Sequence, residues 1–220
     1  MKRIAVIICL VLLFLGCESK KNNATTTEKE DNFVLSKVDN SKNYVYSNVI
    51  DTYTLPDGSS YDVESIVINL NSEDASNVNM ELRSFVKKSN SFKETSDNNL
   101  LSGYVYSYSF YVTDDYLSLV IPYQQITNGI YGDEDSLVYV LSMDKGKIIS
   151  NSDLLERFEM SEKDLFNKVE ESIDSEDSLY TMKSIKDNGY YLFVNNDNKL
   201  VVLFYEITDE DTIKKELILN

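Results

Sequence analysis

From Tyr44 onward the apolar residues keep two rhythms, and each change of rhythm marks an element. "NYVYSNVIDTYTL" and "SYDVESIVINL" flank Pro56-Asp57-Gly58-Ser59, a run with turn chemistry, and predict a strand pair. The period then lengthens in "NSEDASNVNMELRSFVKK", where Ala75, Val78, Leu82 and Phe85 recur at helical spacing. Ser72 stands as an N-cap, with Glu73 and Asp74 in the first turn where the helix dipole favours acids.

"GYVYSYSFYV" (103–112) then puts Tyr104, Tyr106, Tyr108 and Phe110 on alternate positions, with Val112 closing the row. Such a row could stack on a sugar or a base, or it could be one buried face of a strand. A hairpin turning at Asp114-Asp115 sets Val112 against Leu117, Phe110 against Leu119, Tyr108 against Ile121 and Tyr106 against Tyr123. Aliphatic partners across the strand predict a core face, leaving Tyr104 and Tyr106 nearest to solvent. The opposite face pairs Tyr111 with Ser118, Ser109 with Val120 and Ser107 with Pro122, a far more mixed set.

"DSLVYVLSMDKGKIIS" continues as a strand with a turn at Asp144-Lys145-Gly146-Lys147. "NSDLLERFEM" predicts a short helix. "SEKDLFNKVEESI" predicts a longer one, with Ser161 and Asp164 as a capping box and Leu165, Val169 and Ile173 on one face. "YYLFVNN", "KLVVLFYEIT" and "KKELILN" close the chain as short strands. The order ββαββ(β)αβββ predicts an α+β fold, mainly antiparallel sheet with two principal helices. It spans residues 44–220, with room for small subdomains at about 44–112 and 113–220.

The N-terminal stretch follows neither rhythm. "MKRIAVIICLVLLFLGCESKK" has Lys2 and Arg3, an apolar run from Ile4 to Leu15, and then Gly16-Cys17. That is the layout of a secretory signal, and the run is short of the roughly 20 residues of a spanning helix. Leu13-Phe14-Leu15-Gly16-Cys17 resembles the lipobox of bacterial lipoproteins. In that family the cysteine sulfur is diacylglycerylated and signal peptidase II cuts before it. The resemblance implies a signal peptide at residues 1–16, lipidation of Cys17, and a lipid-anchored protein on the extracytoplasmic face of the cell membrane. Of the two cysteines, Cys9 leaves with the signal, so Cys17 has no internal disulfide partner. "ESKKNNATTTEKEDN" carries no apolar residue larger than alanine and predicts a tether, placing 17–43 as lipidated cysteine and linker.

Charge narrows the partners. The 220-residue chain has 21 Lys plus Arg against 37 Asp plus Glu, a formal charge of −16, and signal removal takes two further positive charges. Phosphate recognition needs basic clusters, so nucleic acid is excluded as a partner. A cationic partner fits, as does a merely solvated surface. The absence of histidine removes Ser–His and Cys–His nucleophiles and histidine zinc sites. No GxSxG motif or phosphate loop is present.

Acidic runs occur at Asp114-Asp115, Asp133-Glu134-Asp135, Glu176-Asp177 and Asp209-Glu210-Asp211. None has EF-hand spacing, although carboxylate-rich loops such as Asp133–Asp135 can close on calcium. Paired carboxylates could also perform glycoside chemistry, which makes an envelope hydrolase with a non-standard site the alternative to a binding module.

The folded part carries a second resemblance. Tyr61-Asp62-Val63 followed by "IVINLNSEDASNVNMEL" (66–82) resembles the N-terminal half of the module that precedes the sugar deacetylase domain in some wall deacetylases. "YLSLVIPY", "VYVLSMDKGKIISNSDLL", "LFNKVEESI" and "YYLFVNNDNKLVVLFYEIT" are similar in order to its C-terminal half. That half is also the receptor portion of RsiV-type lysozyme-sensing anti-sigma factors. The most specific segment is a strand, a turn and a helix start carrying Asp144, Gly146, Lys147, Ser152, Asp153 and Leu154. One departure is "NGIYGDEDS", which has Gly129 and Gly132 but lacks the histidine that the family often carries there. The resemblance implies a non-catalytic, stand-alone envelope module for a protein ligand, a cationic one such as lysozyme, or for a cell-wall ligand.

Overall fold

The computed structural model describes residues 38–54, 58–91, 103–127, 129–173, 178–207 and 212–220. The expected signal, Cys17, most of the tether, Pro56-Asp57 and the acids at 176–177 and 209–211 lie outside the described residues. Within them the fold is α+β, with nine strands in three antiparallel sheets and four helices.

β1 (Val45–Thr54) and β2 (Ser60–Ile68) pair from Val45↔Ile68 to Thr54↔Ser60, as the alternation predicts. α1 (Glu73–Ser91) starts where Ser72 Oγ accepts the Ala75 N–H at 3.1 Å. Its buried face is Ala75, Val78, Leu82 and Val86, while Phe85 is half-buried beside it.

β3 (Gly103–Tyr106), β4 (Ser109–Val112), β5 (Tyr116–Thr127) and β6 (Ile130–Ser142) form the middle sheet around β5. The register places Val112 opposite Leu117, Phe110 opposite Leu119 and Tyr106 opposite Tyr123, as expected. The expected Tyr108–Ile121 pair does not form, because the edge breaks at Ser107-Tyr108 into two strands. Pro122 explains the break. Ser107 N–H donates to the Pro122 carbonyl at 3.2 Å, but Pro122 has no N–H to return the bond. Tyr108 is therefore 36% exposed, and only its hydroxyl reaches across, 3.4 Å from Ser47 Oγ.

Around the first half of β5 both faces of the middle sheet are buried. Leu117, Leu119, Ile121 and Leu141 pack with Val45, Ile66, Ile68, Val78 and Leu82, flanked by Tyr106, Phe110 and Val112. The opposite face, mixed by sequence, is a second core. Tyr116, Val120 and Val140 pack there against β7 (Tyr191–Val194), β8 (Leu200–Ile207) and the helices α2 (Asn151–Arg157), α3 (Glu162–Glu171) and α4 (Ser178–Asn188). Ser118 is fully buried in it because its Oγ accepts the Val194 N–H at 3.0 Å, so its polarity is consumed inside. Tyr111 stacks on Phe193, with ring centroids 5.1 Å apart. β9 (Thr212–Ile218) completes the third sheet beside β8.

Ser150 and Ser161 each cap a helix through a reciprocal box with Asp153 and Asp164. α4 has no counterpart in the sequence reading. It buries Thr181, Met182 and Ile185, a spacing too sparse to stand out as a helical stripe.

Candidate functional site

The β5–β6 hairpin is longer than its alternation suggests, because β6 begins at Ile130. Past Tyr123 and Asp135 it leaves the two cores, and burial falls away along both strands except at Ile126. The ladder slips between Gln124↔Glu134 and Ile126↔Tyr131, so one residue of β5 faces two of β6. Such a bulge bends the ribbon. Gly132 sits at this slip, where a Cβ would stand 3.4 Å from the Gln125 carbonyl oxygen, and its own carbonyl accepts the Gln124 side-chain amide at 2.8 Å.

At the bend lies a cavity of about 590 Å³ lined by Tyr123, Gln125, Thr127, Ile130, Tyr131, Gly132, Asp133 and Asp135. Its lining has two carboxylates, two phenol rings and no Lys or Arg. Ile130 and Tyr131 are exposed, at 73% and 60%. Asp133 is also exposed, whereas Asp135 is half-buried.

Asp135 is fixed from three directions. Its Oδ2 accepts the Tyr123 hydroxyl at 2.9 Å. Its Oδ1 accepts the Tyr191 hydroxyl at 2.8 Å and the Ser136 N–H at 2.7 Å. Ser136 in turn shares a 2.8 Å hydrogen bond with the Tyr205 hydroxyl. The carboxylate thus ties the hairpin to β7, and the Ser136 hydroxyl ties it to β8. Burial first, then the hydrogen bond to Asp135, pushes the Tyr123 phenol up to about 12. The same two causes raise Tyr191 above the ordinary tyrosine range. Tyr205 is pushed up to about 12 by burial, with Glu134 and Asp135 adding to it and the bond to Ser136 opposing.

The other side of Tyr123 is aromatic. Phe85 of α1 stands 5.3 Å from Tyr104, 5.5 Å from Tyr106 and 5.4 Å from Tyr123, centroid to centroid. Tyr104 and Tyr123 meet edge to face at 5.6 Å. The start of the tyrosine row therefore clamps Phe85 and supports the cavity wall, an arrangement that favours edge-on contacts within the cluster.

The remaining acids divide. Asp114 and Asp115 share a separate cavity of about 460 Å³ with Asn196, Asp197 and Asn198. Among the described residues, no three carboxylate or thiol side chains are grouped to hold a metal ion, the Asp133–Asp135 run included. The segment from Asp144 to Leu154 is used for packing. Gly146 takes φ +61, and a Cβ there would come 2.5 Å from Ser72 Oγ. Ser72 Oγ donates to the Gly146 carbonyl at 2.7 Å. Lys147 Nζ lies 3.1 Å from Asp74, whose other oxygen accepts the Ile148 N–H at 2.8 Å. That N–H, then Lys147, holds the Asp74 carboxyl below its ordinary range despite some desolvation. Leu154 is fully buried and Asp153 caps α2, while Ser152 is exposed. Sequence reasoning named Asp133–Asp135 for their charge and missed Tyr191, which lies in a different sheet. Among the described residues no helix is long and apolar enough to cross a membrane. The chain matches no protein-family model and no curated sequence relative.

Proposed function

We propose that the chain is an extracytoplasmic lipoprotein, held at the membrane by lipid on Cys17, whose folded part binds a cationic protein without catalysing a reaction. The observation that carries this is the cavity at the β5–β6 tip, with its phenol rings, its two carboxylates and no basic side chain. A cation placed there gains from both the carboxylates and the ring faces. The net charge of −16 steers a basic partner toward the surface, adding to encounter rate more than to final affinity. The resemblance to lysozyme receptors makes lysozyme the first partner to try. The exposed ring of Tyr131 favours a second reading, a cell-wall glycan stacked on that ring.

Surface plasmon resonance of the captured protein against lysozyme, a panel of basic envelope proteins and soluble wall glycan separates these readings. Saturable binding of a basic protein is expected, slowing between low salt and about 0.15 M, where the Debye length is roughly 8 Å. Binding of glycan alone supports the second reading and removes the first. The anchor has its own test. Cys17→Ala should escape signal peptidase II and lose labelling by a palmitate analogue; equal labelling of both proteins refutes lipidation.

A further inference from the structure

We infer that the cavity at the β5–β6 tip takes a single ammonium group, the side chain of an exposed lysine on the partner, in preference to an arginine guanidinium. The inference rests on the cationic-partner reading above and names the chemistry of its contact.

Acceptor capacity on Asp135 separates the two cations. An ionised carboxylate offers about four lone-pair sites over two oxygens. On Asp135, Oδ1 already accepts from Tyr191 and Ser136, and Oδ2 accepts from Tyr123. About one site then remains, and it is on Oδ2. A guanidinium recognises a carboxylate best with two parallel N–H donors, one to each oxygen. With Oδ1 filled, that fork has no partner on Asp135, the more buried of the two carboxylates. An ammonium needs one acceptor at a time and can direct its other protons elsewhere.

The cavity supplies what those protons need. Asp133 lies two residues along β6 in the lining of the same cavity, and it is exposed. Gln125 adds an amide oxygen on the facing strand. Ile130 and Tyr131, both exposed, offer apolar surface for the four-carbon stem of a lysine, and the ring contributes cation–π attraction to its head. A volume of about 590 Å³ accommodates such a side chain without rearrangement.

The test titrates the full-length protein in detergent micelles with n-butylammonium and n-butylguanidinium, following backbone NMR signals. The ammonium should shift signals of the hairpin tip, with an apparent Kd about tenfold below that of the guanidinium. Asp135→Asn should abolish that preference, and Asp133→Asn, at an exposed position that leaves the tyrosine ties intact, should weaken the ammonium several-fold. Equal affinity for the two probes, or shifts confined to the Asp114–Asp197 cavity, overturns the inference. The plasmon-resonance experiment keeps the two failures apart. If a basic protein binds while neither probe prefers the tip, the ammonium assignment falls and the cationic reading stands. If no basic protein binds, the reading falls and takes the assignment with it.

Discussion

The two halves of the β5–β6 hairpin follow one ladder and live in opposite surroundings. At the base, Leu117, Leu119, Ile121 and Leu141 face one core and Tyr116, Val120 and Val140 face another. At the tip, Ile130, Tyr131 and Asp133 face water. The base is therefore committed to packing on both sides, where any change of volume is felt. The tip carries apolar and acidic groups that the fold does not use, and Asp135 stands at the border between them. A long strand pair lets one element serve as a structural centre at one end and as a contact surface at the other.

The sharpest way to break this contrast is at the base. Leu119→Ala removes a fully buried side chain and should cost about 2–5 kcal/mol in urea denaturation, with binding at the tip unchanged in whatever fraction stays folded. A loss below about 0.5 kcal/mol would place Leu119 at a surface. Next, Ser118→Ala leaves the buried Val194 N–H without its acceptor and should cost about 1–3 kcal/mol. Slow amide exchange at Val194 in the variant would show that another acceptor replaces it.

A third, more graded effect reports on the border. Tyr123 and Tyr205 are raised to about 12 from an ordinary 10.0. Below about pH 10 both folded and unfolded chains keep these protons, and stability is flat with respect to them. Between about 10 and 12 the unfolded chain has lost protons that the folded chain retains, so stability should fall as pH rises. Both rings are partly exposed, so solvent screening makes the slope shallow. Stepwise urea melts with tyrosinate absorbance check this; complete phenol ionisation near pH 10 in the folded protein would contradict it. Smallest of all, Tyr108→Ala should change stability by less than about 0.5 kcal/mol, since the ring is exposed and its hydroxyl contact is 3.4 Å long.

That last expectation shows where sequence reasoning stops. Alternation correctly set Phe110 against Leu119 and Val112 against Leu117, because a one-residue slip would turn every apolar side chain outward. The same alternation put Tyr108 inside. What it omitted was a donor missing from the facing strand at Pro122, a property of the backbone and not of the hydrophobic pattern. Ser118 misled in the opposite sense. A serine on a strand suggests solvent, but its acceptor is claimed by an N–H from 76 residues further along. The capping boxes at Ser150 and Ser161 are local, and the one at Ser161 was legible. The site was legible only as charge. The bulge at Gly132 and the Tyr191 bond to Asp135 depend on how sheets meet, which no local spacing encodes.

Asn69 gives the entry to the fold a mechanical character. Its side-chain amide donates to the carbonyls of Asp39 and Asn43, at 2.9 and 3.2 Å, and reaches that of Lys42 at 3.5 Å, while its oxygen accepts the Asp39 N–H at 2.9 Å. Its backbone N–H holds the Tyr44 carbonyl at 2.8 Å. A pull on the chain from before Val38 must stretch this group of bonds together before it reaches the first rungs of β1. Bonds loaded in parallel share the force, so one buried amide acts as a strain relief for the strand pair behind it. In single-molecule extension from the N-terminal side, Asn69→Ala should lower the first rupture force and leave the later ones unchanged.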